Sequence, residues 1–221
     1  MGNETENKVG MIKIPTKTLQ RLPRYLNYLK KCLSNDIEFI SASQISRDLK
    51  VQHTQVRKDL ALTGSQGIPK VGHEVKALII SIKKFLGWDN LNNAFLIGMG
   101  NLGRAICGYK GFKEVGIETV AAFDINPEII GKRISDTIVL HIDEFKDLAK
   151  RMHVQIAILT VPVAIAQEMA DICVESGIHA IWNFCPVSLK LPEDMIIENM
   201  DIYSSLGTLS RKLKEKTDKG L

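Results

Sequence analysis

Residues 95–127, FLIGMGNLGRAICGYKGFKEVGIETVAAFDINP, combine an apolar run, a glycine triplet, a helical segment, a second apolar run and an aspartate. The triplet has the spacing G-x-G-x-x-G and stands where a strand passes into a helix. In such a turn the first glycine allows the sharp bend, the second lets the backbone approach a pyrophosphate, and the third lets the helix pack on its strand. The stretch predicts a dinucleotide-binding turn made of Gly98, Met99, Gly100, Asn101, Leu102 and Gly103.

The aspartate that ends the second apolar run supports this interpretation. Asp124 lies 21 residues after Gly103, where a carboxylate accepts hydrogen bonds from the adenosine ribose. A 2′-phosphate would face like charge there and no arginine adjoins the position, so we expect NAD rather than NADP. The residues alone leave one alternative open, a doubly wound sheet without nucleotide, in which the glycines are incidental and Asp124 is an ordinary turn residue.

After residue 90 the chain alternates apolar runs with helical segments, which predicts an α/β fold with a mostly parallel, doubly wound sheet of the Rossmann type. The expected strands are NAFLIG, ETVAAFD, TIVL, VQIAILTV, HAIWNF and MDIYSS, the last at residues 200–205. Ligands in such sheets bind beyond the carboxyl ends of the strands. The residues expected there, besides the glycine turn, are Thr160, Val161, Pro162, Asn183 and Phe184.

A catalytic role for this site is not predicted. Cys185 follows the expected nicotinamide region, but no histidine or lysine pattern nearby supplies the base or cation that makes a thiolate. Fewer than forty residues follow Asn183, which is too few for a second domain that would close over a substrate. We therefore expect a nucleotide-binding protein that is not an enzyme. The alternative is an NAD-dependent oxidoreductase with a helical oligomerisation domain.

Residues 40–64, ISASQISRDLKVQHTQVRKDLALTG, have a different pattern, that of a helix-turn-helix. Ser41 and Gln44 form a capping box, and Val56 and Leu60 share the inner face of the second helix. The N-terminal part of such a recognition helix contacts base edges and phosphates in the major groove. The residues predicted to bind double-stranded DNA are Gln52, His53, Thr54, Gln55, Arg57 and Lys58, together with Lys70 downstream. A helical domain used for dimerisation or packing is the alternative.

Residues 67–75, GIPKVGHEV, carry the turn residues expected of a wing after this helix. The charge distribution agrees with a DNA-binding front module. Residues 1–85 hold 15 Lys and Arg against 7 Asp and Glu, whereas the remainder holds 14 against 18. Positive charge concentrated in one part of a chain is typical of a nucleic-acid-binding domain attached to another domain.

Other classes of protein are not indicated. No apolar run approaches the roughly 20 residues that span a bilayer, and the polar first ten residues do not resemble a signal peptide. We therefore expect a cytoplasmic protein that does not enter a membrane. The four cysteines lack a C-x-x-C spacing and the five histidines do not cluster, so we assign no metal.

Seven segments stand in order along the chain: RLPRYLNYL (21–29), VRKDLALTG (56–64), GMGNLG (98–103), FDINPEIIGK (123–132), VPVAIAQEMAD (161–171), GIHAIWNFCPVSL (177–189) and NMDIYSSLGTLSRKL (199–213). Together they resemble the Rex family of bacterial redox-sensing transcriptional repressors, from about Thr16 to Leu213. The resemblance implies a homodimer with a winged-helix domain, a Rossmann domain that binds NADH or NAD⁺, and a C-terminal helix exchanged between subunits.

The resemblance also implies an activity: binding of operator DNA when NADH is scarce relative to NAD⁺, and release when NADH binds. We expect a disordered lead-in at residues 1–15, a winged-helix domain at 16–87, a Rossmann domain at 88–204 and a swapped helix with its tail at 205–221. The wing departs from the family pattern. Ile68 and Pro69 stand where the family has basic residues. Lys70 stands in place of a glycine, and His73 in place of a tyrosine. A nucleotide binder with altered or lost operator recognition is thus a further alternative.

Overall fold

The computed structural model of the chain describes residues 14–218. The chain forms two compact units, Met1–Asp89 and Asn90–Leu221. All but the last two residues of the expected disordered lead-in, 1–15, lie outside the described residues, so that expectation stays a prediction.

The first unit has the predicted winged helix-turn-helix fold. Its elements are α1 (Thr16–Ser34), β1 (Phe39–Ile40), α2 (Ala42–Leu49), α3 (His53–Leu62), β2 (His73–Glu74) and α4 (Val75–Phe85). Strands β1 and β2 pair antiparallel, with Ile40 opposite His73. A single apolar core holds the helices together, and its fully buried members include Leu22, Tyr25, Leu26, Leu29, Ile45, Val56, Leu60, Leu78 and Ile82.

Local signals in the sequence account for the helix-turn-helix. The backbone N–H of Gln44 donates to Ser41 Oγ at 3.1 Å, which is the Ser41 half of the predicted capping box at the start of α2. Helix α2 ends where Lys50 adopts a left-handed conformation with φ of 53°. Val56 and Leu60 are buried as predicted, so α3 presents its opposite face outward.

The second unit is a seven-stranded sheet with helices. Its strands are β3 (Asn92–Ile97), β4 (Ile117–Asp124), β5 (Arg133–Ile134), β6 (Thr137–His141), β7 (Ile156–Leu159), β8 (Ala180–Asn183) and β9 (Ile196–Asn199), and its α-helices are α5 (Asn101–Gly108), α6 (Phe145–Met152), α7 (Val163–Glu175) and α8 (Ile202–Thr217). The order across the sheet is β5-β6-β4-β3-β7-β8-β9, and every pairing is parallel except β5 with β6. The six parallel strands follow the order of dinucleotide-binding folds, with its switch point between β3 and β7.

Both faces of this sheet are covered, which explains the continuous apolar runs of its strands. On one face the rings of Phe95, Phe123 and Phe145 pack with centroids 4.9–5.6 Å apart. On the other face Leu96 and Ala122 belong to a separate buried cluster. These two clusters fix the carboxyl ends of β3 and β4, where the glycine turn and Asp124 stand.

The prediction of a last strand at residues 200–205 is wrong. The backbone N–H of Ser204 donates to the Asp201 carboxylate at 2.9 Å, so Asp201 caps α8 and the chain is helical from Ile202. The last strand lies just before, at Ile196–Asn199, and pairs with β8 at the edge of the sheet. Residues 200–205 alternate as in a strand, but the apolar residues of α8 recur at helical spacing along most of its length. The longer helical pattern determines the structure.

None of the helices within residues 14–218 combines the length and hydrophobicity needed to cross a bilayer.

Candidate functional site

The glycine turn after β3 is packed tightly against its neighbours at two positions. Gly98 has φ of +98°, and a Cβ there would lie 2.8 Å from the backbone oxygen of Thr160. A Cβ on Gly103 would lie 2.0 Å from the backbone oxygen of Gly98. Any larger side chain at either position would displace backbone, so the turn and the close approach of α5 both require glycine.

Gly100 differs from its two neighbours in the motif. Its φ of −68° suits any residue, and a Cβ placed on it would meet no atom of the described chain within 4 Å. The fold itself therefore does not explain the glycine. A bare backbone at the N-terminus of a helix is what the close approach of a pyrophosphate requires, because the amides can then reach its oxygens.

Asp124 at the end of β4 is held rigidly. One carboxylate oxygen accepts from the backbone N–H of Met99 at 2.7 Å, and the other accepts from the N–H groups of Ile125 and Asn126 at 2.8 and 2.9 Å. An ionised carboxylate has about four acceptor sites, so three bonds leave room for a hydroxyl of the ribose. Asp124 thus supports the glycine turn and can still accept a hydrogen bond from one ribose hydroxyl.

Thr160, at the end of β7, closes the other side of the turn. Its hydroxyl lies 3.1 Å from the backbone oxygen of Ile97 and 2.7 Å from that of Gly98. The backbone N–H of Thr160 also donates to the oxygen of Ile97 at 3.0 Å. These bonds join the carboxyl ends of β3 and β7 at the switch point of the sheet.

A cavity of about 500 Å³ opens at this point. Of the predicted nucleotide-binding residues, its lining contains Gly98, Gly100, Asn101, Leu102, Asp124, Thr160, Val161 and Pro162. The six remaining lining residues are all apolar: Ile97, Phe123, Ile125, Ile142, Ile165 and Met169. The size and the few polar groups are those of a cofactor site. Met99 and Gly103 are not part of this lining; Met99 is buried, and Gly103 allows α5 to pack against the turn.

Asn183 and Phe184 lie outside the lining of this cavity. The buried amide of Asn183 donates to the backbone oxygen of Val187 at 3.1 Å and to Asn199 Oδ1 at 2.8 Å, and its own oxygen accepts from the N–H of Cys185 at 2.9 Å. Phe184 packs on Trp182, with ring centroids 4.7 Å apart. The hydrogen bonds of Asn183 therefore stabilise the loop after β8. Contacts of Asn183 and Phe184 with a nucleotide stay predictions.

The thiol of Cys185 is buried, and its Sγ lies 3.2 Å from the backbone oxygen of Val161. Burial raises the pKa of Cys185 above its usual value, although the bond to Val161 works in the opposite direction. The sulfur is therefore a protonated, packed thiol rather than a nucleophile. Within residues 14–218 no three His, Cys, Asp or Glu side chains are grouped so that they could hold a metal ion.

The second candidate site is the outer face of α3. His53, Thr54, Arg57 and Lys58 are exposed there, and Gln52 is exposed at the residue that precedes the helix. Gln55 differs from this prediction because it is half-buried, and its Nε2 donates to Asp59 Oδ1 at 2.9 Å. Lys70 is exposed in the turn between Ile68 and Gly72, with φ of +65°.

Sequence reasoning missed Asp59, which is completely buried on the inner face of α3. Its carboxylate accepts from Arg21 through Nε at 2.6 Å and through a terminal nitrogen at 2.8 Å, and it also accepts from Tyr25 and Thr18. Burial works to raise the pKa of Asp59, but the hydrogen bonds, that from Arg21 first, outweigh it and hold the pKa below its ordinary value. The cluster joins α1 to α3. Its members on α1 lie 34 to 41 residues from Asp59, so no local signal could reveal them.

His73 connects the wing to the end of the recognition helix. Its Nδ1 lies 2.9 Å from the Ser65 hydroxyl, and its ring lies against Gly67, where a Cβ would approach within 3.1 Å. Burial lowers the pKa of His73 below its usual 6.5. Because the folded state resists protonation, it binds fewer protons than the unfolded chain just below that pH.

We therefore expect His73 to reduce the stability of the first unit as the pH falls from about 6.5 toward the lowered pKa of the folded state. The expected result is a fall in the melting temperature from about pH 7 to about pH 5 that is smaller in His73→Gln than in the natural chain. The control is His53→Gln, which changes an exposed histidine of the same unit. Identical pH profiles for the natural chain and His73→Gln would contradict this.

Comparisons with known proteins bear on both sites. A family described as "CoA binding domain" matches residues 89–187, and one described as "Putative DNA-binding protein N-terminus" matches residues 13–61. The redox-sensing transcriptional repressor Rex of Bacteroides thetaiotaomicron is 37% identical over 96% of both chains. The protein of the same name from Treponema denticola is 43% identical, over 92% of this chain and 98% of its own.

Two solved structures agree with these relatives. The crystal structure of RSP in complex with beta-NAD⁺ and operator DNA is 39% identical, with a TM-score of 0.87 over 92% of this chain and 94% of its own. RSP in complex with beta-NADH is 38% identical, with a TM-score of 0.84 over 93% of this chain and 96% of its own. RSP is described as a Rex-family repressor.

Proposed function

The chain belongs to the Rex family of redox-sensing transcriptional repressors, and from this premise we propose that it represses transcription in response to the ratio of NADH to NAD⁺. It binds operator DNA when NADH is low and releases the DNA when NADH binds. The observation that carries the proposal is the glycine turn, where Gly100 leaves an open space in front of the amides that begin α5. A repressor that responds to a dinucleotide needs a dinucleotide-binding turn and a DNA-binding helix-turn-helix in the same chain.

The nucleotide site in this proposal has three parts. The turn Gly98–Gly103 holds the pyrophosphate, Asp124 holds the adenosine ribose, and Thr160–Pro162 and the neighbouring apolar side chains contact the nicotinamide half. The nicotinamide ring is neutral when reduced and cationic when oxidised. An apolar pocket favours the neutral ring, since burial of an unpaired charge is costly. The cofactor is therefore NADH or NAD⁺, with a preference for the reduced form.

The coupling between nucleotide and DNA is a linkage. If NADH binds one arrangement of the protein more tightly and DNA binds another, each ligand lowers the affinity for the other by the same factor. A coupling of about 1–3 kcal/mol changes operator affinity about five- to 150-fold. Titration of NADH and of NAD⁺ against a fluorescent operator tests this. Equal affinities for the two nucleotides, with DNA retention unchanged by either, would refute the proposal.

Two features support binding without turnover. The Cys185 thiol is protonated by burial, and among the described residues its hydrogen-bond partners are the backbone oxygens of Leu159 and Val161 rather than a base. Within the described residues, the chain after Asn183 forms a loop, β9 and α8, and none of these residues lines the cavity. The rival oxidoreductase predicts hydride transfer to a small carbonyl compound and no DNA affinity. We propose a cytoplasmic, non-enzymatic regulator, with a winged-helix domain at 16–87 and a Rossmann domain at 88–204.

We propose that the protein acts as a homodimer through α8. Four apolar side chains of this helix, Ile202, Leu206, Leu209 and Leu213, are each at least half exposed, and they follow the 4-3-4 spacing of a single stripe. Such a stripe needs a partner surface, and the resemblance to the family implies a helix exchanged with a second copy, at residues 205–221. Two recognition helices would then face two operator half-sites.

Loss of Arg57 is expected to weaken operator binding roughly tenfold or more, because an arginine that contacts guanine or phosphate contributes about 1–3 kcal/mol. Arg57→Ala is compared with Lys84→Ala, which removes an exposed positive charge from α4 of the same unit. Fluorescence anisotropy at several salt concentrations measures both affinity and its salt dependence. Equal affinities for the two variants would count against α3 as the DNA-reading helix.

One observation favours a second candidate, a nucleotide binder whose operator recognition is lost. The wing carries exposed Ile68 and Val71 beside Lys70, so a single positive charge stands among apolar side chains. Under this alternative the protein binds random and operator-like DNA equally, and affinity falls with salt through phosphate contacts alone. Selection of DNA from a random pool, with and without NADH, separates the two functions.

A further inference from the structure

The buried cluster of α1 and α3 fixes the amide of Gln55 in one orientation. Asp59 is an ionised carboxylate held by Arg21, and a carboxylate can only accept hydrogen bonds. The atom that Gln55 directs at Asp59 Oδ1, 2.9 Å away, must therefore be the amide nitrogen rather than the oxygen. The chemistry of the partner excludes the flipped amide.

This orientation determines what Gln55 can offer outward. Its nitrogen carries two hydrogens, of which Asp59 takes one. The second N–H and the amide oxygen remain as one donor and one acceptor. In the major groove adenine presents the complementary pair, the N7 acceptor and the N6 donor. A phosphate has only acceptors. It could accept a hydrogen bond from the second N–H of Gln55, but it could not donate one to the amide oxygen.

We propose that Asp59 is a positioning residue for sequence recognition, which holds Gln55 in the orientation that reads one adenine in each operator half-site. The proposal rests on the proposed function, because it requires α3 to contact DNA. Gln55 belongs to this site as the reader, and Asp59 acts only through it. Arg21 completes the arrangement from α1, since its two bonds of 2.6 and 2.8 Å orient the carboxylate.

Selection of bound DNA from a random pool tests the proposal with the full chain. The natural protein is expected to select adenine at one position of each half-site. In Gln55→Ala that preference falls roughly five- to 150-fold, while the other positions keep theirs. Asp59→Asn loses the preference at the same position, and the double variant loses no more than Gln55→Ala, because the two residues act as one unit. Gln20→Ala, which changes an exposed glutamine of α1, is the matched control with an unaltered profile.

Other results would overturn the inference. Equal weakening of all sequences by Gln55→Ala would show a phosphate contact, and an adenine preference retained in a folded Asp59→Asn would show that Asp59 has a structural role only. If the natural chain still binds its operator and either of these results is obtained, the proposed function stands and only this inference is wrong. If the natural chain selects no sequence at all, the proposed function fails first and this inference fails with it.

A second measurement needs no change in the buried cluster. In the natural chain, one side-chain amide proton of Gln55 should show a nuclear Overhauser effect to Thr18, since both residues donate to the same oxygen of Asp59. The same proton should exchange with solvent more slowly than the side-chain amide protons of Gln20. Fast exchange and no contact with Thr18 would overturn the inference even if Asp59→Asn did not fold.

Discussion

Replacement of Gly100 by alanine is expected to weaken NADH binding roughly tenfold to hundredfold while the free protein keeps its stability. A Cβ at this position meets no atom of the described chain within 4 Å, and the backbone conformation suits alanine. The added methyl group would instead occupy the space in front of the amides, where a diphosphate must approach. Each lost bond between an amide and a charged oxygen costs about 1.5–3 kcal/mol. Calorimetric titration with NADH and a thermal melt measure the two properties separately.

Gly103→Ala is the matched control for this experiment. The same methyl group, three residues further on, would lie 2.0 Å from the backbone oxygen of Gly98 and force α5 away from its strand. Its expected effect is a loss of stability of about 1–3 kcal/mol, visible without nucleotide. If Gly100→Ala bound NADH normally, or melted as early as Gly103→Ala, the assignment of Gly100 to the pyrophosphate would be wrong.

Leu209→Asp is expected to convert the dimer into monomers. Leu209 is 63% exposed in the single chain and lies in the centre of the apolar stripe of α8. In the dimer it would be covered, and an unpaired charge in such an interface costs about 3–5 kcal/mol. The dissociation constant of the dimer would then rise at least about a hundredfold. Sedimentation velocity over a range of concentrations measures it, and operator affinity should fall in parallel.

Gly207→Asp provides the control, because it introduces the same side chain and the same charge on the same helix. At about 100° per residue it lies roughly 160° around the axis from Leu209, and a Cβ there meets no atom of the described chain within 4 Å. This variant should remain dimeric. Dissociation of both variants would point to a general effect of charge on α8, and dissociation of neither would exclude the stripe as the interface.

The parts of the fold that sequence reasoning predicted correctly are those encoded by short-range patterns. The turn at Gly98, the strands on either side of it and the inner face marked by Val56 and Leu60 each follow from residues a few positions apart. Their physical causes are local as well: a left-handed backbone, burial on both faces of a sheet, and a 3.6-residue period. The cap at Ser41 belongs to the same class.

The parts that sequence reasoning missed depend on partners far along the chain. Asp59 looks like a solvent-exposed acid on a polar helix, and only the fold brings it to Arg21 and Tyr25. The sequence also did not reveal that the amide of Asn183 donates to the loop after β8 and to β9. The strand Ile196–Asn199 is short and lies at an edge, so its apolar signal is weak.

The three amides bound by Asp124 constrain how this protein could change its coenzyme. A lineage that moved toward the phosphorylated dinucleotide would need to remove the acid that repels the extra phosphate. The same step would remove the acceptor of the Met99 N–H and so loosen the glycine turn that holds the pyrophosphate of either dinucleotide. A mutation that removes this carboxylate therefore changes the coenzyme preference and weakens the turn in the same step.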